Sequence, residues 1–293
     1  MRAPLDRDEM FVDALIAKAK SDRLPELFAA PHPEALYVRR RAGIVVVALR
    51  QGHLDQTQLA TIRRYRLANR LMYGEVDSAL VGQHGVECEW WCPGGSDDVH
   101  ILAASAESGE LVGYLVLSFL GSANSEMTLR TEARPRFSAE DVFGWRVFHG
   151  VPGLADQPLT RVAELMRFMR TNWLGMLNPL AIRGPVEVGV ALYYLMTGPL
   201  AADTFALVAD VTEYKAQRNL DFFDFPTLAL RDAQPIDNRL LSYPRCTEDA
   251  YPIVMLTSAF PKTAKRVATI EAALSLAGAE GMRTLIDLRK KNR

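Results

Sequence analysis

Residues 159–170 read Leu159-Thr160-Arg161-Val162-Ala163-Glu164-Leu165-Met166-Arg167-Phe168-Met169-Arg170. Propensity alone favours a helix, because Ala163, Glu164, Leu165, Met166 and Arg167 are all good helix formers. Alternation gives a strand. Val162, Glu164, Met166 and Phe168 then share one face, and Ala163, Leu165, Arg167 and Met169 share the other. As an interior strand the segment carries a carboxylate and a guanidinium within apolar faces. Buried charges are costly unless they are paired or used. The segment is either an amphipathic helix or the element around which a site is built.

Its neighbours mix two periodicities. Residues 8–19 carry Met10, Phe11, Ala14, Leu15 and Ala17 at near-helical spacing. Residues 35–38 and 43–49 read as extended, the second rich in branched side chains from Ile44 to Val47. Residues 55–73 return to helix, with Leu59, Ile62, Tyr65, Ala68 and Leu71 as its stripe and Arg63, Arg64, Arg66 and Arg70 beside it. Gly74 suits its C-terminal cap. Residues 74–97 read as irregular. A hairpin follows, 99–104 and 111–120 around a turn at 107–110. Its second arm is apolar on nearly both faces, as in a central strand.

Residues 122–158, with Pro135, Pro152 and Pro158, read as a long, partly helical excursion that covers or shapes a site. After the 159–170 element come a helix at 186–196, with Pro185 in its first turn, and a strand at 205–211. A short helix at 212–222, a second hairpin from 226–230 and 239–243, and a helix at 263–276 complete the chain. The order predicts an α/β chain with a mixed sheet.

Composition fits a globular protein: 293 residues, 49% hydrophobic and 24% charged. The net charge of −1 lacks the basic excess of a nucleic-acid binder. Arg39, Arg40 and Arg41 are expected in a solvated turn, and 289–291 in a solubilising tail. Asp6, Asp8, Glu9 and Asp13 interrupt any signal-peptide core, and no apolar run reaches the roughly 18–20 residues of a membrane span. Three cysteines suggest no disulfide framework. A cytoplasmic location is expected. No Gly-x-Gly-x-x-Gly, Gly-x-x-x-x-Gly-Lys or Gly-x-Ser-x-Gly occurs, which removes the anchors for dinucleotide, P-loop and hydrolase readings.

Glu164-Leu165-Met166-Arg167-Phe168 resembles the Glu-Leu-Ser-Arg-Phe strand of acyl-homoserine-lactone synthases and N-acyl amino acid synthases, within the GNAT superfamily of N-acetyltransferases. Other pieces fall in matching order over about residues 55–245. The Arg-rich helix 55–73 resembles the family's first helix, and Gly74-Glu75-Val76-Asp77 its acidic segment. Gly109-Glu110-Leu111-Val112-Gly113-Tyr114 resembles the second and third strands. The resemblance implies a GNAT-like mixed, mostly antiparallel central sheet flanked by helices. Residues 1–54 would be an N-terminal extension of helix plus strands, 55–250 the acyltransferase core, and 251–293 a C-terminal helical segment. The departures are Val116 where lactone synthases have an arginine, Met166 in place of serine, and no regular coenzyme-A loop. They argue against a lactone signal synthase and leave acyl-CoA and acyl carrier protein both open as donors.

What the resemblance implies chemically is N-acylation of a small amine or amino acid, with no permanently bound cofactor. Burial raises a carboxylate toward neutrality and suits it to act as base. Glu164 is the candidate, against the alternative of an internal pair with arginine that only fixes the fold. Arg167 can fork the carboxylate of an amino-acid acceptor or stand solvated at a sheet margin. The donor's pyrophosphate would sit at a helix N-terminus near 184–187; Arg183, Gly184 and Gly189 come nearest to the usual loop, with Glu187 opposing a phosphate there. Tyr214, where many acetyltransferases protonate the leaving thiolate, otherwise packs as an amphipathic side chain. Asp77 and Glu75 can bind the acceptor amine or serve as surface or helix-end acids.

His84, Cys88 and Cys92, with Asp97, Asp98 and His100 nearby, form a competing zinc-like cluster, but they lack a Cys-x-x-Cys pair. The cysteines otherwise pack neutral beside Trp90 and Trp91, and Trp91 is a candidate for lining an acyl pocket.

Overall fold

In a computed structural model of the chain, residues 162–170 are a strand, β5 (Val162–Arg170), fourth-neighbour to one edge of an eight-stranded sheet. The structure describes residues 7–29, 32–87, 95–175, 178–212, 216–236, 250–276 and 278–290. Val162 to Met166 are all buried. Burying each such apolar side chain is worth about 1.5–3 kcal/mol, whereas helix propensities differ by less than about 1 kcal/mol per residue. Burial on two faces therefore overrides the helix formers.

The chain begins with α1 (Arg7–Ser21) and α2 (Pro25–Ala29), then β1 (Tyr37–Arg41), β2 (Ile44–Arg50), α3 (Gln56–Tyr73) and α4 (Ser78–His84). Next come β3 (Val99–Ser105), β4 (Leu111–Phe119), α5 (Ser138–Phe143), β5 and α6 (Pro179–Thr197). The chain continues through β6 (Ala206–Thr212), α7 (Arg218–Phe222), β7 (Leu228–Ala229), β8 (Ala250–Leu256), α8 (Ala264–Ser275) and α9 (Gly278–Lys290). The sheet order is β1-β2-β3-β4-β5-β6-β8-β7. Neighbours are antiparallel except β5 and β6, which run parallel. The result is a mixed, mostly antiparallel sheet flanked by helices, with helical segments ahead of it.

Each face of the sheet has its own cover. On one, Val46, Ile101, Leu115, Leu117 and Leu165 pack against Val188, Ala191 and Leu195 of α6, with α8 and α9 beyond. The other face is covered in two places. Leu59, Ile62 and Tyr65 of α3 lie over β2 to β4. Leu129, Phe137, Phe148 and Leu154 of the 121–161 excursion lie over β5, β6 and β8. Glu164 sits on this second face, between the two covers.

Local signals set α3. Asp55 Oδ1 accepts the Gln58 N–H at 2.8 Å while Gln58 Oε1 accepts the Asp55 N–H at 3.0 Å, a reciprocal cap. Gly74 closes the helix at φ 66°. Contrary to expectation, its arginines are not all beside the buried stripe: Arg64, Arg66 and Arg70 are buried.

Other expectations need correction. The helix expected from 186 begins at Pro179 and runs straight through Gly184 and Pro185. Asn178 is its cap, Oδ1 accepting the Leu180 N–H at 2.9 Å. No helix N-terminus therefore lies at 184–187. Arg39 to Arg41 are not a solvated turn but part of β1. Arg41 forks Glu187 through Nε at 2.9 Å and Nη2 at 2.7 Å, and Arg39 pairs with Glu271. Residues 74–97 include α4. β6 extends to Thr212, so the helix expected from 212 does not begin there; α7 covers Arg218–Phe222, and 213–215 lie outside the described residues. β7 pairs with β8, and 239–243, the expected second arm of that hairpin, lies outside the described residues. The sequence pattern did not single out β8, whose run Tyr251-Pro252-Ile253-Val254-Met255 is short and carries a proline. It pairs with β6 along its whole length.

Candidate functional site

The parallel pairing of β5 with β6 spans only Val162–Ala206, Ala163–Leu207 and Glu164–Val208. β6 stays paired to β8 as far as Thr212–Ala250, and β5 stays paired to β4 as far as Arg170–Gly113. The two central strands thus part after Glu164. Beyond it, their facing backbone edges are not joined to each other by a ladder.

Glu164 stands at the apex of this opening and is 1% exposed. Its Oε1 accepts the Ser138 hydroxyl at 2.6 Å and the Ala139 N–H at 2.9 Å; its Oε2 accepts the Ser138 N–H at 2.9 Å. These are the first residues of α5, so the glutamate caps that helix from another strand. A carboxylate is favoured at a helix start by its unpaired N–H groups. Burial nevertheless pushes the Glu164 carboxyl up to about 7; nearby Asp210 adds to the rise, and the Ser138 and Ala139 hydrogen bonds oppose it. The alternative of an internal Glu164–arginine pair is replaced by this helix cap.

α5 is itself anchored. Arg134 and Glu140 form a buried ion pair, with Arg134 Nη1 donating to Glu140 Oε2 at 2.7 Å, and the same oxygen accepts the Phe137 N–H at 3.0 Å. Breaking such a pair by removing one partner costs about 3–5 kcal/mol. The excursion is thereby held in one pose over the glutamate.

Arg167 has φ +60°. Met169 opposes Tyr114 and Met166 opposes Val116, so Arg167 and Phe168 together face Leu115. β5 therefore carries a bulge at Arg167. Met166 and Met169, three residues apart, both enter the core beneath α3, while Phe168 packs on the opposite side, 6.4 Å from Phe223 between ring centroids. Strict alternation of Glu164 and Arg167 onto opposite faces is thus broken between them. Arg167 is half-buried where β5 has parted from β6.

Ser118, Asp210 and Ser138, which the sequence pattern does not single out, lie around Glu164 together with Asp98, which it places only in the zinc-like cluster. Ser118 is its ladder partner on β4. Asp98, just before β3, lies on the far side of Ser118, its Oδ1 accepting the Phe119 N–H at 2.9 Å. Burial pushes Asp98 up to about 6, against the pull of the Phe119 N–H, Ser118 and Arg66. Asp210, exposed on β6, lies two residues beyond the last β5–β6 pair. Ser138 had a local signal, since Ser138-Ala139-Glu140-Asp141 has the spacing of a helix start. Ser118 and Asp210 had none, and Asp98 was noted only beside His100 in the zinc-like cluster, because only the strand register brings the three toward Glu164.

The remaining candidates are distributed elsewhere. Gly184 abuts β4: a Cβ there would meet the Val112 carbonyl oxygen at 2.4 Å, and one on Gly113 would meet the Gly184 carbonyl carbon at 2.6 Å. Gly189 lies under the Phe223 ring, with a Cβ reaching 2.2 Å from it. Arg183 is buried and donates to the Leu274 carbonyl. All three lie inside α6 and serve its packing. Asp77 caps α4, Oδ1 accepting the Ala79 N–H at 2.9 Å. The Glu75 N–H closes α3 on the Arg70 carbonyl. This end of α3 meets the far end of β5, where Arg170 Nε donates to Tyr73 at 3.1 Å. Trp91 and Tyr214 lie outside the described residues, as do Cys88 and Cys92.

His100 is buried and neutral, its pKa pushed down to about 3 by burial and by Arg66 and Arg63. Both ring nitrogens are engaged, with Tyr114 at 2.8 Å and Gln51 at 3.1 Å. Among the described residues no group of three His, Cys, Asp or Glu side chains gathers to hold a metal. Nor is any described helix long and apolar enough to cross a membrane. An open cavity of about 620 Å³ lies away from Glu164, lined by Phe143, Trp145, Arg146, Leu230 and Arg231 among others.

No sequence family profile matches the chain, and no curated protein matches it. Solved structures with a similar chain trace include the acyl-homoserine-lactone synthase LasI, at 14% identity over 74% of this chain and 91% of that one, with TM-score 0.48. FeeM, an N-acyl amino acid synthase from uncultured soil microbes, is similar at 10% identity over 78% and 96%, TM-score 0.45. A GCN5-related N-acetyltransferase from Brucella melitensis is similar at 10% over 87% and 94%, TM-score 0.42. The strand geometry at Glu164 is a property of this chain and stands without them.

Proposed function

We propose that this protein is an N-acyltransferase that moves an acyl group from a thioester donor, acyl-CoA or acyl carrier protein, to the amine of a small molecule or amino acid. The observation that carries the reading is the parting of β5 from β6 at Glu164. Parted strand edges offer backbone N–H and C=O groups to an extended ligand as a missing strand would, and a pantetheine arm is extended and carries amides. The thioester then lies near the apex, beside a carboxyl that burial has lifted to about 7.

In this reading Glu164 takes a proton from the acceptor amine. Its Oε2 accepts one hydrogen bond, from the Ser138 N–H, and keeps a lone pair for the purpose. Backbone N–H groups along the parted edges face the thioester oxygen as it gains charge. Arg167, on the bulge beside the opening, forks the carboxylate of an amino-acid acceptor in this reading. Tyr214 protonates the departing thiolate, and Asp210 attracts the acceptor's ammonium form. Residues 55–250 form the catalytic core in this reading. Donors of this kind belong to the cytoplasm.

The test is release of free thiol from a panel of acyl-CoA and acyl-carrier donors mixed with amines. Thiol release that depends on both donor and amine supports the reading; none with any pair removes it.

A second reading has its own observation. Three hydrogen bonds and 1% exposure make Glu164 a latch that pins α5 to the sheet. The protein is then a binding module in which the glutamate is purely structural. Glu164→Gln separates the two: stability falls in both, whereas only a base loses turnover in protein that remains folded.

A further inference from the structure

Asp98, Ser118 and Glu164 form a row across three adjacent strands. Ser118 and Glu164 are ladder partners. Continuing the β3–β4 register from Val99–Leu117 sets Asp98 opposite Ser118. All three side chains are at most 1% exposed. Ser118 Oγ and Asp98 Oδ2 are buried and lack a hydrogen bond of good geometry, yet Ser118 stands close enough to favour the ionised form of Asp98. A buried hydroxyl or carboxylate oxygen left so costs about 1–3 kcal/mol, a cost that a purely structural row would avoid with apolar side chains. Adjacent strands lie about 4.8 Å apart, so Ser118 stands between the two acids, with its hydroxyl not committed to either Glu164 oxygen.

We propose that Asp98, Ser118 and Glu164 share one proton, with Ser118 passing to Asp98 the proton that Glu164 takes from the acceptor amine. The inference rests on the acyl-transfer reading for the source of the proton. The N–H bond of the amine breaks as its nitrogen attacks the thioester carbon, and the proton moves to a Glu164 oxygen. Ser118 donates its own hydroxyl proton to Asp98 Oδ2 and accepts that of Glu164. As the C–S bond breaks, the thiolate takes its proton from Tyr214, and the proton held by the row returns through Glu164 to replace it, leaving amide and thiol. Asp98 and Ser118 touch no substrate and are positioning residues.

The charged groups around the row favour this arrangement. Arg66 of α3 attracts Asp98 and stabilises its ionised form. Asp210 of β6 repels charge on Glu164, while Ser138 and Ala139 of α5 stabilise it. His100, the neighbouring side chain on β3, is held neutral and contributes no charge.

The test uses the whole chain labelled with ¹³C at glutamate carboxyls, followed by NMR across pH, alongside the pH profile of acyl transfer. Asp98→Asn keeps the oxygen that accepts the Phe119 N–H but removes a neighbouring negative charge. The Glu164 midpoint then falls by about one unit, and kcat falls roughly 10²-fold with KM unchanged. Ser118→Ala lowers kcat similarly, and Ser118→Thr, which restores a hydroxyl, recovers it. A Glu164 curve that ignores both Asp98→Asn and Ser118→Ala overturns the row even if acyl transfer is real. A curve that responds in a protein inert with every donor overturns the transfer step and the acyl-transfer reading together.

Discussion

Glu164 caps helix α5 in place of a local residue: the Ser138 hydroxyl and N–H both donate to its carboxylate, at 2.6 and 2.9 Å, across a separation of 26 positions in the chain. The side chain at the apex of the strand opening therefore also holds the excursion that covers it. Chemistry at the glutamate and the pose of α5 are coupled, and the coupling can be measured.

Ser138→Ala deletes the hydroxyl while keeping both backbone donors. Loss of a hydrogen bond to a charged group should destabilise the fold by about 1.5–3 kcal/mol, read by urea denaturation at pH 8. The same change should raise the Glu164 carboxyl further, because a hydrogen bond favouring its ionised form is gone.

The pH dependence of stability has a definite sign. The Glu164 carboxyl titrates near 7 in the folded protein and near 4.3 when unfolded. Between these values the folded state binds more protons. Its contribution is complete below about pH 4.3 and is lost as pH rises through 7, by roughly 4 kcal/mol. Asp98 acts in the same direction up to about pH 6. His100, depressed to about 3, acts in the opposite direction, so the total is flatter than either. Subtracting the stability curve of Glu164→Gln from that of the parent protein isolates the glutamate, and the difference should decline from pH 4 to 7. A rising difference contradicts the burial assigned to it.

Gly184→Ala should destabilise the protein by about 1–3 kcal/mol or more. The added methyl meets the Val112 carbonyl oxygen, which is backbone in a central strand and has little room to yield. Denaturant titration without any donor tests this. Unchanged stability combined with lost donor binding would instead return Gly184 to the donor site.

Glu164→Gln should lower acyl transfer roughly 10²–10⁴-fold if the glutamate is the base. Its amide would also set an NH₂ against donors on α5, at a cost of about 1–3 kcal/mol. Rates measured on protein confirmed to be folded separate these two losses.

The parts of the fold legible in sequence are those with local causes. The 99–120 hairpin follows from its turn and two apolar arms, and α3 from Asp55, Gln58 and Gly74. The start of α6 was misplaced because two prolines each fit a first helical turn. Asn178 before Pro179 supplies a cap that Gly184 before Pro185 cannot. β8 escaped notice because its partner, β6, lies about 40 residues upstream and its own pattern is brief. At the site, Glu164 and Arg167 were found through a five-residue resemblance. The positive φ of Arg167 is invisible in a sequence where glycine is the usual sign of one. Asp98, Ser118 and Ser138 reach Glu164 only through strand register and the return of the excursion, which no local pattern encodes.

The central claim is that the gap between β5 and β6 receives the donor. Backbone amide hydrogen exchange of the whole chain, with and without a saturating acyl-CoA or acyl-carrier donor, tests it most directly. Protection should rise in 165–170 and 209–212 with at least one of the two donors. Unchanged exchange there with both, or protection appearing instead around the cavity at 143–147 and 229–233, would contradict it.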